Sequence, residues 1–394
     1  MPLRMLRTQK NLRGKRVILR VDFNVPIARG KVSSDADSRI LAALPTIDFL
    51  RKAGAKTVIV AHLGRPEGRE KKFSLEPVAK YLAKGLGEKV LFIRENIEAE
   101  GKVERVLSKL KNGGVAMLEN IRFYKGEKEN SVFLARRIAS FGDLYVDDAF
   151  ADAHRSHASI VGIAAFLPAY AGLLIETEVA QLSKVLGRPK HPFVVMMGGA
   201  KVSDKLSTIE RMQKIADTVL IGGGMANAFF RAKGWKTGLS EVAAADVKIA
   251  KQLLKKKNVQ YPIDVLTATQ LNDRAQPIVR KPNEVRRDEY VIDVGTETIR
   301  AWAAVLKKAK TLVWNGPVGL FEVKKFSHGS IALGRVIAMR SSGSAFGIVG
   351  GGETVQCLER TGLAQYVDHV STGGGAMLEF LAGKKLPGVE VLMK

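Results

Sequence analysis

The sequence predicts an α/β protein of two lobes, each a parallel sheet covered by helices, with a helix linking them. Three observations predict it. Short runs rich in Val and Ile alternate with amphipathic stretches of helical length, the pattern of parallel sheets buried on both faces. The chain has 394 residues, enough for two or three domains that each bury a core. The residues that follow the apolar runs change character half-way along, from Arg, His and Asn to Gly and Lys.

In chain order the strand runs are RVILRVDF, TVIVAHL, VLFIREN, VAMLEN, LYVDDAF, FVVMM, TVLIGGG, TLVWNGP and FGIVGGG. Between the first two, the spacing predicts a helix from Ser38 to Ala53. Ile40, Leu41, Leu44, Ile47 and Leu50 share its apolar face, and Gly54 stops it. A second helix is expected to open at Lys201 and to carry Ile209, Met212 and Ile215. The segment from Glu176 to Pro189 reads as the link between the halves. The longest uncharged run, Ala158 to Ile175, touches the lower limit of a membrane span at roughly 17–25 residues. Gly162, Pro168 and Gly172 inside it favour two short buried elements joined at Pro168 over a membrane helix.

Composition narrows the function. Apolar residues make up 46%, which excludes general disorder. One cysteine, Cys357, excludes a disulfide framework and any multi-cysteine metal site, and it fits a reducing cytoplasm. The basic first twenty residues lack the apolar stretch of a secretory signal. The net charge of +24 invites a nucleic-acid reading, but the Lys and Arg residues are spread along the chain and no nucleic-acid motif accompanies them. A positive field also draws small polyanionic substrates.

The strand ends then carry the chemistry, because ligands of open α/β sheets bind beyond the carboxyl ends of the strands. The first half delivers Arg39, His62, Arg65, Arg122 and Arg155, with Asp22 and Asn24 placed to hold a hydroxyl. Guanidinium forks suit phosphate and carboxylate oxygens, and Arg39 falls at a helix start, where free N–H groups favour an anion. The implied ligand is a small, multiply anionic hydroxy acid or phosphate ester. The second half delivers GGAKVSDK, GGG at Gly222–Gly224, NGPVGLFE and GGGET. Glycines let a backbone approach phosphates closely. Lys201 and Lys205, spaced i, i+4, are expected to share a helix face and reach a phosphate chain, with Asn315 and Glu322 near the ribose or phosphates. A Walker loop, a G-x-G-x-x-G fingerprint, zinc-ligand spacing and a G-x-S-x-G elbow are all missing. An anion site and a nucleotide site on one chain suggest phosphoryl transfer, which asks a protein mainly for positioning and charge stabilisation.

The strings RVDFNVP, SRI, AHLGRP, MLENIRF, AHRSHAS, GGAKVSDK, IGGGMAN, VWNGPVGLFE, GGGET and STGGGA, in this order, resemble phosphoglycerate kinase over essentially the whole chain. The resemblance implies two Rossmann-like lobes joined by the linking helix and a hinge. The implied division is 1–172 plus 376–394 for phosphoglycerate, 173–188 for the linking helix and 189–375 for the nucleotide. It further implies a cytoplasmic, monomeric glycolytic enzyme that interconverts 1,3-bisphosphoglycerate plus ADP with 3-phosphoglycerate plus ATP, using Mg²⁺. The transfer would be in line, after hinge closure. By match to the family's motifs, Asp22, Phe23, Asn24, Arg39, His62, Leu63, Gly64, Arg65, Arg122 and Arg155 would hold the phosphoglycerate. Arg39 and Lys201 would be catalytic. Lys205, Gly223, Gly224, Gly295, Asn315, Glu322, Gly351, Gly352, Glu353 and Thr354 would contact the nucleotide, Glu353 also lying near the metal.

Two departures stand out. The family usually has Asp where this chain has Glu353, and Gly-Thr where it has Ala151-Asp152. Glu353 is expected to alter metal dependence, since Mg²⁺ is strict about geometry. Asp152 is expected to add negative charge beside the anion pocket and to weaken acid binding. These departures and the charge motivate an alternative, a degenerate kinase serving as a basic nucleic-acid-binding protein.

Overall fold

The computed structural model describes residues 2–33 and 37–394. Met1 and residues 34–36 of the expected 1–172 range lie outside the described residues. The chain divides into two units. One runs to Ala180 and resumes over Lys385–Lys394, and the other is Gln181–Lys384.

The first unit is built on a six-stranded sheet of Arg16–Arg20, Lys56–Val60, Val90–Ile93, Val115–Leu118, Leu144–Asp147 and Ala169–Ala171. All neighbours pair in parallel, with Arg16–Arg20 between Lys56–Val60 and Leu144–Asp147. Val17, Ile18 and Leu19 are fully buried, which explains the unbroken apolar run. The chain winds outward on both sides of Arg16–Arg20, so the switch point lies between that strand and Leu144–Asp147. The helix Ser38–Lys52 buries Ile40, Ala43, Ile47 and Leu50, and Gly54 at φ +74° ends the chain's helical path. Leu41 stays half exposed, so the buried stripe is narrower than expected. Around Pro168 the chain forms a short 3₁₀ turn, Gly162–Ala165, and the edge strand. No helix among the described residues is long and apolar enough to cross a membrane.

The second unit has its own six-stranded parallel sheet of Phe193–Met197, Thr218–Ile221, Val259–Gln260, Thr311–Asn315, Phe346–Gly350 and His369–Ser371. Here the strands run 3-2-1-4-5-6 in chain order, which puts the switch point between Phe193–Met197 and Thr311–Asn315. A three-stranded antiparallel sheet, Ile278–Arg280, Val265–Ala268 and Tyr290–Val294, was not foreseen from the sequence.

Three expectations are revised. The helix expected to open at Lys201 spans Leu206–Ile215, after a 3₁₀ turn over Ser203–Lys205. Lys201 lies outside both, so it shares no helix face with Lys205. The link is a helix, Leu173–Gly187, and the division between units falls inside it. The return to the first unit falls at Lys385, where the expectation put it at 376. The helix Gly375–Leu381 packs in the second unit, where Leu378 O accepts from Thr208 Oγ1 at 2.8 Å.

Candidate active site

In the first unit the expected residues gather at the switch point. Asp22 and Asn24 follow the strand Arg16–Arg20, and Asn24 N donates to Asp22 Oδ1 at 3.0 Å. Asn24 Oδ1 accepts from Gly64 N at 2.9 Å, which ties this turn to the one after Lys56–Val60. Arg39, in the first turn of its helix, places Nη1 2.8 Å from Asp22 Oδ2 and donates to Asn24 O. Part of its guanidinium stays in solvent, with the side chain 38% exposed. Phe23 and Leu63 are buried and anchor the two turns from below. Gly64 sits at φ +63°, and a Cβ there would meet the Phe73 ring at 2.4 Å.

Arg122 closes this side. It donates through Nη1 to Gly64 O at 2.7 Å, while its buried Nε and Nη2 have no hydrogen-bond partner among the described residues. Burial pushes its guanidinium down to about 10, still charged at neutral pH. Asn120 sets its place, accepting from Arg122 N and Leu63 N and donating to Leu63 O. Arg155 stands with Nε 3.3 Å from Asp152 Oδ1, and that Nε forms no hydrogen bond. Arg65 is exposed at the rim.

One group at the centre, Arg20, went unrecognised in the sequence. Arg20, inside the first strand, is fully buried and donates to Ser159 Oγ at 3.0 Å and to Asp152 Oδ2 at 2.8 Å. Burial opposes its charge, but Asp152, Glu127 and Asp147 outweigh that and raise its pKa. Asp152 is the hub, with Oδ2 also 3.1 Å from His62 Nδ1. Burial works against its ionisation, and Arg20 and His62 nonetheless hold it well below the usual carboxylate range. Asp152 therefore lies among the guanidinium groups, with Oδ2 engaged by Arg20 and His62 and Oδ1 nearest Arg155. Burial pushes His62 below its ordinary pKa, so its imidazole is neutral at pH 7. A charged residue in an otherwise apolar strand run was the available signal for Arg20.

Asp22, His62 and Asp152 offer ligand atoms within 4.8 Å of one another. Their environment does not suit a cation: Arg39 occupies Asp22, Arg20 occupies Asp152, and Arg122 and Arg155 stand alongside. These guanidinium neighbours favour an anion over a cation. A larger hollow of about 1020 Å³ lies at the amino ends of Val90–Ile93 and Val115–Leu118 and touches none of these residues.

In the second unit, Lys205 reaches the switch point from its 3₁₀ turn. Its Nζ donates to Gly198 O at 2.8 Å, Asn315 Oδ1 at 2.6 Å and Asn315 O at 3.2 Å. It clasps the ends of the two central strands, and burial pulls it down to about 8. Beside it is a cavity of about 270 Å³ lined by Gly199, Ala200, Gly223, Gly224, Leu271, Tyr290, Ile292, Pro317, Leu320, Glu322 and Glu353. Gly223 has φ +64°, and a Cβ there would meet Gly199 N and Pro317 O at 2.9 Å. Thr354 is buried and accepts from Gly316 N at 2.7 Å. Gly351, at φ +95°, packs against Asn315, whose buried Nδ2 is unpaired. Gly352 and the exposed Glu353 open the helix Gly352–Arg360.

Two expected members stand apart. Gly295 does not line this cavity: a Cβ there would strike the Asp264 carboxylate at 2.3 Å, and Asp264 caps the following helix through Thr298 N and Glu297 N. Lys201 is exposed and lines a neighbouring cavity of about 460 Å³ with Glu241 and Asp246. The apolar wall has no mark in the sequence because Tyr290 and Ile292 come from the unforeseen antiparallel sheet and Leu271 from the connection between two of its strands.

Comparison with known proteins agrees with this architecture. The family description "Phosphoglycerate kinase" matches residues 7–384. Curated proteins of that name from Moorella thermoacetica and Desulforudis audaxviator are 45% and 46% identical, each alignment covering 97% of both chains. A phosphoglycerate kinase structure from Coxiella burnetii, 40% identical, superimposes with TM-score 0.86 over 99% of both chains. One from Pyrococcus horikoshii, 33% identical, gives 0.88 over 99% of this chain and 98% of that one. With guanidinium groups around one switch point and glycines around the other, and with relatives alike over nearly their full length, the chain belongs to the phosphoglycerate kinase family.

Proposed function

We propose that the first unit holds the phosphoglycerate and the second the nucleotide in the reaction of this family. That reaction moves a phosphoryl group reversibly between 1,3-bisphosphoglycerate with ADP and 3-phosphoglycerate with ATP. The chain is thus a phosphotransferase with a carboxyl group as acceptor, and the nucleic-acid-binding alternative has no support. The observation that carries the division of labour is Arg122, whose buried Nε and Nη2 have no hydrogen-bond partner among the described residues and which stands with Arg155 around Asp152 Oδ1. Buried donors without partners are costly, and an oxyanion satisfies them.

His62, Arg122 and Arg155, with Arg65 at the rim, bind the acid's oxyanions, and Asp22 and Asn24 hold its hydroxyl. The Gly223–Gly224 turn admits the nucleotide close to the backbone, and Leu271, Tyr290 and Ile292 form an apolar bed for its base. Lys205 and Asn315 hold the strand ends against the phosphates. During transfer, charge spreads over the moving phosphoryl oxygens. Arg39, anchored on Asp22 with donors to spare, stabilises that charge, and exposed Lys201 is assigned to guide the group. No nucleophile from the protein is required.

Glu353 fits the metal of the family's nucleotide substrates. Its carboxylate oxygens are hard ligands, and it lines the cavity from the first turn of a helix. With the nucleotide bound, Glu353 would hold the Mg²⁺, which would supply neutralisation of the phosphate charge. Glu353→Asp is expected to change the Mg²⁺ concentration for half-maximal rate, and an unchanged titration refutes that placement. The setting is proposed to be cytoplasmic and the working form a monomer.

The direct test is ATP formation from 1,3-bisphosphoglycerate and ADP by purified protein. Arg122→Ala is expected to raise the KM for the acid by tenfold or more, with the nucleotide KM unmoved. Wild-type protein that makes no ATP refutes the reading.

A further inference from the structure

The two oxygens of Asp152 do different things. Oδ2 lies 2.8 Å from Arg20 Nη2 and 3.1 Å from His62 Nδ1. Arg20 is fully buried, so it cannot turn outward to a ligand, and His62 keeps Nδ1 on this oxygen. Oδ1 lies 3.3 Å from Arg155 Nε and 4.0 Å from Arg122 Nη2. Those two nitrogens are buried but make no hydrogen bond. One oxygen is therefore engaged in fixed internal pairs. The other stands close to donors that it attracts but does not satisfy.

An oxyanion that completes Arg122 and Arg155 must approach the same space. It then comes within a few ångströms of Oδ1, and like charges at that range in a shielded pocket repel strongly. Asp152 is buried and ionised, so the repulsion is not dispersed by water. The same carboxylate keeps the Arg20 guanidinium from becoming an uncompensated buried charge. Arg20 has further partners in Ser159 Oγ and Val21 O, and Glu127 and Asp147 contribute to its field. A neutral acceptor at 152 therefore leaves it bonded.

We propose that Asp152 is the internal counter-ion of the acid site, a positioning residue that fixes Arg20 and His62 through one oxygen and weakens acid binding through the other. This rests on the assignment of the acid to the first unit. It gives the chain a built-in affinity setting: the site is held in shape when empty, and the acid is released more readily than an all-cationic pocket would allow.

The test compares Asp152→Asn, Asp152→Ala and Arg122→Ala in the full chain, reading KM for 3-phosphoglycerate, KM for ATP, kcat and melting temperature. Asn keeps an acceptor toward Arg20 and removes the charge. Asp152→Asn is expected to lower the acid KM about tenfold, leave the ATP KM unchanged and steepen the salt dependence of acid binding. Asp152→Ala is expected to lower the melting temperature and kcat, because Arg20 and His62 lose their tether. Asp152→Ser, smaller but still an acceptor, is read in the same way as Asp152→Asn if the latter does not fold. An acid KM that is unchanged or raised in the Asn or Ser variant overturns the proposal. If Arg122→Ala raises the acid KM while Asp152→Asn leaves it alone, the acid site stands and this role of Asp152 falls. If neither moves the acid KM, the assignment of the acid to this unit fails as well.

Discussion

On the proposed assignment, the two switch points hold oxyanions with opposite materials. In the first unit the cradle is made of side chains. Arg20, Asp22, Arg39, His62, Arg122, Asp152 and Arg155 come from several strand ends, turns and a helix start and are tied by ion pairs. In the second it is made of backbone. Gly223 and Gly351 lie at positive φ, and Lys205 spends its ammonium on two carbonyls and an amide oxygen. A charge cradle bought this way must be internally neutralised, hence its buried carboxylates. A backbone cradle needs close approach, hence positions where no Cβ fits.

The largest test of that contrast is Arg39→Ala. Arg39 is the most exposed of the anchored guanidiniums and is assigned to the moving phosphoryl group. Removing a donor aimed at transition-state charge typically costs 10²–10³ in kcat, about 3–4 kcal/mol. Steady-state kinetics should show kcat falling that far with smaller changes in either KM. A change confined to the acid KM would make Arg39 a binding group only, and the first cradle purely a ground-state one.

Gly223→Ala probes the other cradle. The new methyl would need φ +64° and would meet Gly199 N and Pro317 O at 2.9 Å. Both neighbours are backbone and cannot swing aside, so a destabilisation of about 2–3 kcal/mol is expected. The nucleotide KM should rise while the acid KM holds. A variant of normal stability and nucleotide KM would show that close backbone approach is not what this turn is for.

How much of each cradle could be read in the sequence follows from the same contrast. Backbone sites leave local marks: GGG and GGGET announce themselves. The parallel strands were legible because Val17–Leu19 or Val194–Met196 are buried on both faces and so unbroken in hydrophobicity. Side-chain sites leave only half a mark. Arg39, His62, Arg122 and Arg155 were visible as strand-end residues. Arg20 was not, because its burial makes sense only beside Asp152, far away in the chain. The antiparallel sheet escaped because its edge strand, Ile278–Arg280, exposes Ile278 and Val279, so period and burial disagree. Lys201 and Lys205 were misplaced together since i, i+4 spacing implies a shared face only inside a helix, and the helix begins at Leu206.

The smallest test asks whether a buried carboxylate needs a cation to stay charged, as Asp152 suggests. Asp148, in the same unit, has none. It is fully buried, and its Oδ1 accepts from Leu174 N at 2.8 Å and Ile175 N at 3.3 Å, at the start of the helix Leu173–Gly187. Oδ2 has no partner. Burial outweighs these hydrogen bonds and pushes its pKa up to about 7. Between roughly pH 4, where an unfolded Asp titrates, and about 7, the folded state binds a proton that the unfolded state has lost. The resulting stability is complete below that window and disappears as pH rises through it. Asp293 in the second unit, also raised to about 7 by burial, behaves alike and stays constant in the comparison. Asp148→Asn keeps the acceptor and removes the titration. Going from pH 5.5 to pH 8, the variant should therefore gain on the wild type by on the order of 2 kcal/mol, read as parallel denaturant or thermal unfolding at the two values. Equal pH slopes would mean that hydrogen bonds from Thr46 and the helix start suffice to hold Asp148 ionised, and that the arginine partnership of Asp152 is not what separates these carboxylates.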